Sequence, residues 1–405
     1  MPVVKGYRAG THRMIPPAET VRWALRFAPV MGITRVANVT GLDDLGIPVV
    51  TVTRPNSRSL AVTQGKGLDL LAAKASAVME SVEAYHAETI TLPLRYCSLD
   101  ELRFTHRVAD VDLLPAVATS SFHSNMRILW CEGLDLLTGE PVFVPHELVH
   151  SDYTWPYPPG TGCFAGSSNG LASGNHRLEA ISHAICEVVE RDSTSLWMLR
   201  GPAEQVARSV EVATVNDPAC RQVLDRFERA RLAVAVWETT TDVGIASFLC
   251  VIFQPEDYPD RPLAPAAGAG CHPSRSIALL RALTEAAQSR LVQISGSRDD
   301  LSRDLYVRHN HDANLVALRG QVGRPRLKSF LEAPDWNSDT LDGDVEWELG
   351  RLQRAGIREV ITVDLTKEFL DLPVVRVVIP GLEGLHEIPG YVPGKRAREV
   401  AMARA

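Results

Sequence analysis

Glutamates recur on helical faces in this sequence, and their spacing is the first hint of chemistry. From Leu68 to Ala87, Leu71, Ala75, Val78, Val82 and Tyr85 form an apolar stripe, while Ser76, Glu80 and Glu83 fall about 150° around a helix from it. A second helical pattern, His176 to Trp197 with Asn175 as N-cap, buries Ile181, Ile185 and Val188 and gathers Glu179, His183, Glu187 and Glu190 opposite them. A third, Ser274 to Ile294, carries Glu285 and Gln288 on one face; Arg290 lies about 140° from Glu285, so only its long side chain joins them. A solvated face is the plain reading of any one such helix. Surface helices, however, set Lys or Arg four residues from Glu, and here Ser76 and Ala84 flank Glu80 while Met79 and Ala87 flank Glu83. Carboxylates without such partners suit Mg²⁺, a hard ion that takes oxygen ligands and bridges carboxylates to phosphates.

The common glycine-rich cradles cannot be what binds those phosphates. GxxxxGK[ST] is absent, Gln64-Gly65-Lys66-Gly67 is too short and runs into Leu68, and Gly268-Ala269-Gly270 lacks a third glycine. A nucleotide site would have to rest on Mg²⁺ with Arg and Lys clamps. A competing motif is His146-Glu147-Leu148-Val149-His150, which matches the HExxH of zinc hydrolases. It follows a strand-like segment ending at Pro145, and Trp155-Pro156 stops any helix within a few residues, so the long rigid helix such a site needs does not fit.

The elements around these helices follow from patterning. Apolar runs at Ile47–Thr53, Val142–Pro145, Leu232–Trp237, Ala246–Phe253, Val360–Leu365 and Val374–Ile379 read as strands interleaved with the helices, giving an α+β (mixed α/β) fold. Thr154 to Gly170 is too rich in Pro and Gly for a helix or a central strand and reads as an ordered loop feeding the second helix. Residues 320–343 are polar and weakly periodic, a mobile or linker segment inside an otherwise single domain spanning 1–405. With 405 residues, 45% hydrophobic and 22% charged, the chain is globular rather than disordered. Its formal charge of −7 gives no basic footprint for nucleic acid. No run is long and apolar enough for a membrane span, and no signal peptide opens the chain. Seven scattered cysteines without a CxxC pair fit a reduced compartment, so a cytoplasmic protein is expected.

Taken in order, Gln64-Gly65-Lys66-Gly67, Ser76-x3-Glu80-x2-Glu83, Asn175-x3-Glu179, Glu187-x2-Glu190-Arg191-Asp192 and Glu285-x2-Gln288-x-Arg290 resemble the YcaO superfamily of ATP-dependent peptide-backbone-modifying enzymes, over about Gly10 to Leu385. The resemblance implies a YcaO-type fold around a central ATP site, with Mg²⁺ held by Glu80, Glu83, Glu187 and Glu190. It further implies that Arg13, Thr20, Lys66, Ser76, Asn175, Glu179, Gln288 and Arg290 contact ATP, and that Arg290 and Arg191 stabilise charge on the transferring group. Thr34–Ala37, Gly46–Val49, Arg54-Pro55-Asn56 and Tyr85–Glu88 look most like the TfuA-associated branch, linked to thioamides in peptide backbones.

The implied reaction activates a backbone amide by O-phosphorylation, since an amide oxygen is a poor leaving group. External sulfur then leaves a thioamide, whereas a neighbouring Cys or Ser side chain leaves an azoline. Azoline formers typically end in a PxPxP tail, and this chain ends Arg396 to Ala405, which favours the thioamide. The expected partners are a TfuA-like protein, a sulfur donor and a peptide or protein substrate, with a homodimer left open and neither nucleic acid nor membrane involved. The alternatives are an azoline-forming cyclodehydratase, a zinc hydrolase on His146, Glu147 and His150, and a non-catalytic docking subunit.

Overall fold

Two stretches of the chain build the same unit from strand-forming residues followed by a long helix. The computed structural model describes residues 1–254, 263–298, 328–384, 386 and 388–404. In the first unit, Arg35–Asn38, Val49–Thr53 and Val62–Lys66 form an antiparallel sheet in chain order, and helix Leu70–Glu88 packs on it. Asp69 caps that helix by accepting a hydrogen bond from Ala72 N. In the second, Ala233–Glu238, Ser247–Phe253 and Ala266–Cys271 form another antiparallel sheet, and helix Arg275–Ser295 packs on it. That helix stops at Gly296, whose φ of 55° is the left-handed conformation glycine adopts freely.

Glycines set how close each helix lies to its sheet. A Cβ on Gly65 would run into Ala77 N and Ala73 O of the first helix, and one on Gly268 into Ala282 O and Ala286 N of the other. The two Gly-x-Gly stretches that fail as phosphate cradles are therefore contacts of strand backbone on helix backbone.

A larger sheet packs against helix Leu70–Glu88 through its strands Leu171–Ser173 and Val374–Val378. Its strands run in the order Leu94–Ser98, Arg127–Asp135, Ile361–Asp364, Val374–Val378, Leu171–Ser173, with Pro141–Pro145 pairing to Arg127–Asp135. Helix Arg177–Leu199 packs on Val374–Val378 through Ile181, Ile185 and Val188, and helix Leu341–Arg354 covers it with Val345 and Leu352. The last helix, Lys395–Arg404, is fastened by Arg396, which donates to Asp192 (2.9 and 3.0 Å) and Asp242 (2.5 Å).

The mixed α+β fold and all six strand-like runs stand, their ends shifted by no more than two residues. Two local expectations fail. His176, not Asn175, is the N-cap of the second acid-bearing helix: its Nδ1 accepts from Leu178 N, leaving Asn175 free to bond elsewhere. The Pro/Gly loop also reaches that helix through strand Leu171–Ser173, only three residues long and so without a readable period. Of the expected linker 320–343, residues 320–327 lie outside the described residues. The rest forms a short strand (Lys328–Ser329), a 3₁₀ turn (Phe330–Glu332) and the start of helix Leu341–Arg354.

Candidate active site

The three acid-bearing helices converge. Glu83 accepts from Ser173 N (2.8 Å) and Ser173 Oγ (2.7 Å), so the first helix is tied to the strand that feeds the second. Burial, reinforced by the charges of Glu80 and Glu187, overcomes those bonds and raises the Glu83 carboxyl to about 8. Burial likewise raises Glu187 to about 7, with Glu190 adding to the rise and Arg191, Arg281 and Arg376 opposing it. Glu80 is exposed to water, so the cleft we place between these helices opens to solvent at its side chain. The protein around that cleft is deep enough to push its carboxyl up to about 7, against the Gln64 N–H it accepts at 3.2 Å and the charge of Lys66.

Glu190 joins helix Arg177–Leu199 to the second of the two sheet-and-helix units. It is buried, accepts from Cys271 N at 3.1 Å, and has Arg191 Nη1 at 3.4 Å and Arg281 Nη2 at 4.0 Å. Opposite, Lys66 Nζ donates to Glu285 at 2.5 Å and so bridges the two βββα units. Burial alone would raise the Glu285 carboxyl, but Lys66 and Arg191 outweigh it and hold it low.

Cations gather one turn from these acids. Arg281, Arg13 and Lys66 all bear on His183, which burial together with those charges holds well below the usual histidine range. Arg13 Nε and Arg281 Nε are buried without a hydrogen-bond partner. The N-terminal segment clasps the start of the second helix: Met14 N donates to Glu179 (2.8 Å), Asn175 Nδ2 to Glu179 (2.9 Å), and Thr20 Oγ1 to Asn175 (2.8 Å).

The expected residues are thus placed unequally. Glu80, Glu83, Glu187, Glu190, Lys66 and Arg191 are linked by contacts or electrostatic reach, Arg13 bears on His183 beside them, and Thr20, Asn175 and Glu179 form a hydrogen-bonded set with Met14 N. Ser76 and Gln288 make no side-chain hydrogen bond among the described residues. Arg290 stands apart, its Nε donating to Asp43 at 2.8 Å. Sequence reasoning missed Arg281, four residues before Glu285 and hence on the same helical face; that spacing was the signal. It also missed Arg376, buried on the central strand. Its Nε donates to Leu148 O (2.7 Å) and its Nη2 to Ser167 O, pinning both ends of the Pro/Gly loop, and it lies within electrostatic reach of Glu187.

Orphan cationic N–H groups beside carboxylates pushed toward neutrality fit a polyanion with its counter-cation. Among the described residues no three His, Cys, Asp or Glu side chains close into a cage for a bare ion. Mg²⁺ differs from such a caged ion in keeping its waters and being held by one or two carboxylates together with phosphate oxygens.

The HExxH segment has another task. His146–Leu148 is a 3₁₀ turn, and Glu147 accepts from Gly162 N (2.6 Å), Cys163 N (3.0 Å) and Phe164 N (3.0 Å). Its carboxylate anchors the loop, and no helix holds His146 and His150 as paired ligands. The segments around Arg54 and Glu88 are structural as well: they form a buried ion pair at 2.7 Å, with Ser57 and Ser59 also donating to Glu88. None of the described helices is long and apolar enough to cross a membrane.

Comparison with known proteins gives a consistent picture. The family profile described as "YcaO cyclodehydratase, ATP-ad Mg2+-binding" matches residues 64–383. An uncharacterized protein from the tfuA 3′ region of Rhizobium leguminosarum bv. trifolii is 39% identical over 377 residues, covering 92% of this chain and 88% of the relative. An uncharacterized protein of Methanothermobacter thermautotrophicus is 35% identical over 396 residues, covering 95% and 98%. Among solved structures, YcaO from Methanopyrus kandleri bound with AMPPCP and Mg²⁺ superposes with a TM-score of 0.74 at 25% identity, covering 97% of this chain and 99% of the other. A heterocyclase in complex with substrate and cofactor shares the fold, with a TM-score of 0.77 at 24% identity, over 98% of this chain and 55% of the other.

Proposed function

This chain belongs to the YcaO family of ATP- and Mg²⁺-binding, peptide-modifying enzymes, and on that premise we propose that it installs a thioamide in a peptide backbone with sulfur supplied from outside. The observation that carries the thioamide reading is the 39% identical relative from a tfuA 3′ region, which favours a TfuA-like partner and an external sulfur donor.

In this reading the γ-phosphoryl group passes from ATP to the amide oxygen and ADP leaves. A sulfur nucleophile adds to the carbon, and the C–O bond breaks with phosphate carrying off the original oxygen. Mg²⁺, when bound, shields the charge of the polyphosphate; Glu80, Glu83, Glu187 and Glu190 are the residues we assign to it. Arg13, Thr20, Lys66, Ser76, Asn175, Glu179 and Gln288 are assigned to ATP. For charge on the transferring group we assign Arg191 and Arg281, because both guanidiniums stand at Glu190, whereas the guanidinium of Arg290 is engaged by Asp43. No zinc chemistry is assigned to Glu147, which is committed to three backbone N–H groups.

The test is product mass. The protein is incubated with Mg·ATP, sulfide, a TfuA-type partner and the peptide encoded beside its gene. Exchange of O for S adds about 16 Da and is the expected result, since the nucleophile comes from outside the peptide. Loss of about 18 Da, the signature of side-chain cyclisation, would replace the thioamide by an azoline and leave the ATP site standing.

A further inference from the structure

His183 has no part in the assignments above, yet it touches one of their cations, Arg281. It lies on helix Arg177–Leu199 one turn before Glu187, and its Nε2 is 3.1 Å from Arg281 Nη1. A guanidinium can only donate, so Nε2 is the acceptor and the ring proton sits on Nδ1. This is the one hydrogen bond that the Arg281 side chain makes among the described residues. Its Nη2 stands 4.0 Å from Glu190, and its Nε is buried without a partner. The plane of the guanidinium is therefore set by the imidazole.

The chemistry of that acceptor matters. A carboxylate in the same place would orient Arg281 equally well, but it would form a close ion pair and cancel the charge a polyphosphate needs. A neutral ring orients the guanidinium and leaves its charge available. The setting also favours neutrality, because the charges of Arg281, Arg13 and Lys66 act on this half-buried ring and oppose a fourth positive charge there.

We propose that His183 is a positioning residue: an uncharged acceptor that fixes the Arg281 guanidinium against the polyphosphate of ATP without quenching it. The proposal rests on the ATP site of the preceding section, and is independent of whether the product is a thioamide.

Calorimetric titration with Mg·ATP tests it, using His183→Leu, His183→Gln and His183→Asn, each with Arg281 and in an Arg281→Lys background. Loss of a hydrogen bond to a charged group is expected to raise the Kd about tenfold in His183→Leu. His183→Gln, whose Oε1 reaches the place of Nε2, should stay within about threefold of wild type, while the shorter Asn should resemble Leu. In the Arg281→Lys background, His183→Leu should add less than about twofold, because the group it positions is gone. An unchanged Kd in His183→Leu, or the same loss in both backgrounds, would overturn the proposal in favour of a merely structural role. If the Leu variant does not fold, equal affinities for the Gln and Asn variants would overturn it too. Wild type that fails to bind Mg·ATP would defeat the ATP site itself, and the role of His183 with it, a result distinct from tight binding by all variants.

Discussion

A carboxyl raised to about 8 on Glu83 and to about 7 on Glu80 and Glu187 means that the protein around these groups opposes their negative charge. In the folded state these groups sit above their unfolded value of 4.5. Their favourable contribution to stability is complete below that value and is lost as pH rises through 7 to 8. The apo protein should thus melt lower at pH 8.5 than at pH 6, a trend that thermal scans with and without Mg·ATP would reveal and that saturating ligand should flatten. Binding at pH 7 should release on the order of one proton, measured by calorimetry in buffers of different ionisation enthalpy. Glu187→Gln should raise the Kd for Mg·ATP at least about tenfold while leaving the apo melting temperature unchanged or higher, since a buried charge is removed. An apo protein that loses stability on that substitution would show that Glu187 serves the fold instead.

At the scale of elements, helix-to-strand distance fixes where the carboxylates point. Gly268→Ala would drive helix Arg275–Ser295 off its sheet, costing about 1–3 kcal/mol and shifting Arg281 and Glu285 together. Weaker Mg·ATP binding should accompany the lower melting temperature. Glu147→Ala should cost about 1–3 kcal/mol and open the Pro/Gly loop to limited proteolysis, while metal analysis shows no change in zinc content. Zinc lost stoichiometrically from that variant would revive the hydrolase reading. These cases mark what was legible in the sequence. Periodicity exposed the acid faces of all three helices, most plainly in the first, where no Lys or Arg stands four residues from Glu80 or Glu83. Arg281 escaped attention although it obeys that spacing, because an Arg four residues before a Glu reads as an ordinary surface pair. Arg376 could not be found at all: a single basic residue inside the apolar run Val374–Val378 has partners, Leu148 and Ser167, that only the three-dimensional path of the loop brings to it. The pairing of Arg290 with Asp43 was equally hidden, since Asp43 lies far away in sequence.

Over the whole molecule, two βββα units face each other across the cleft. The first brings Lys66, Glu80 and Glu83, the second Arg281 and Glu285, and helix Arg177–Leu199 stands between them with Glu187 and Glu190. The N-terminal segment closes this arrangement: Lys5 pairs with Asp344 at 2.5 Å, Arg8 with Asp339 at 2.8 Å, and Met14 N reaches Glu179. Deleting residues 1–14 should therefore abolish measurable Mg·ATP binding while the remaining chain still melts cooperatively; retained affinity would show that Arg13 and the clasp are dispensable. With strand backbone resting on helix backbone at Gly65 and Gly268, neither flanking helix has room to roll or slide, so the walls of the cleft are stiff and traffic is decided at the rim. The rim is held partly by an ion pair in water, Arg8 with Asp339, and partly by one shielded from it, Lys5 with Asp344. Raising ionic strength weakens the first and spares the second. If nucleotide escape limits turnover, moderate salt should quicken the enzyme before it inhibits, an ionic throttle on a rigid vessel.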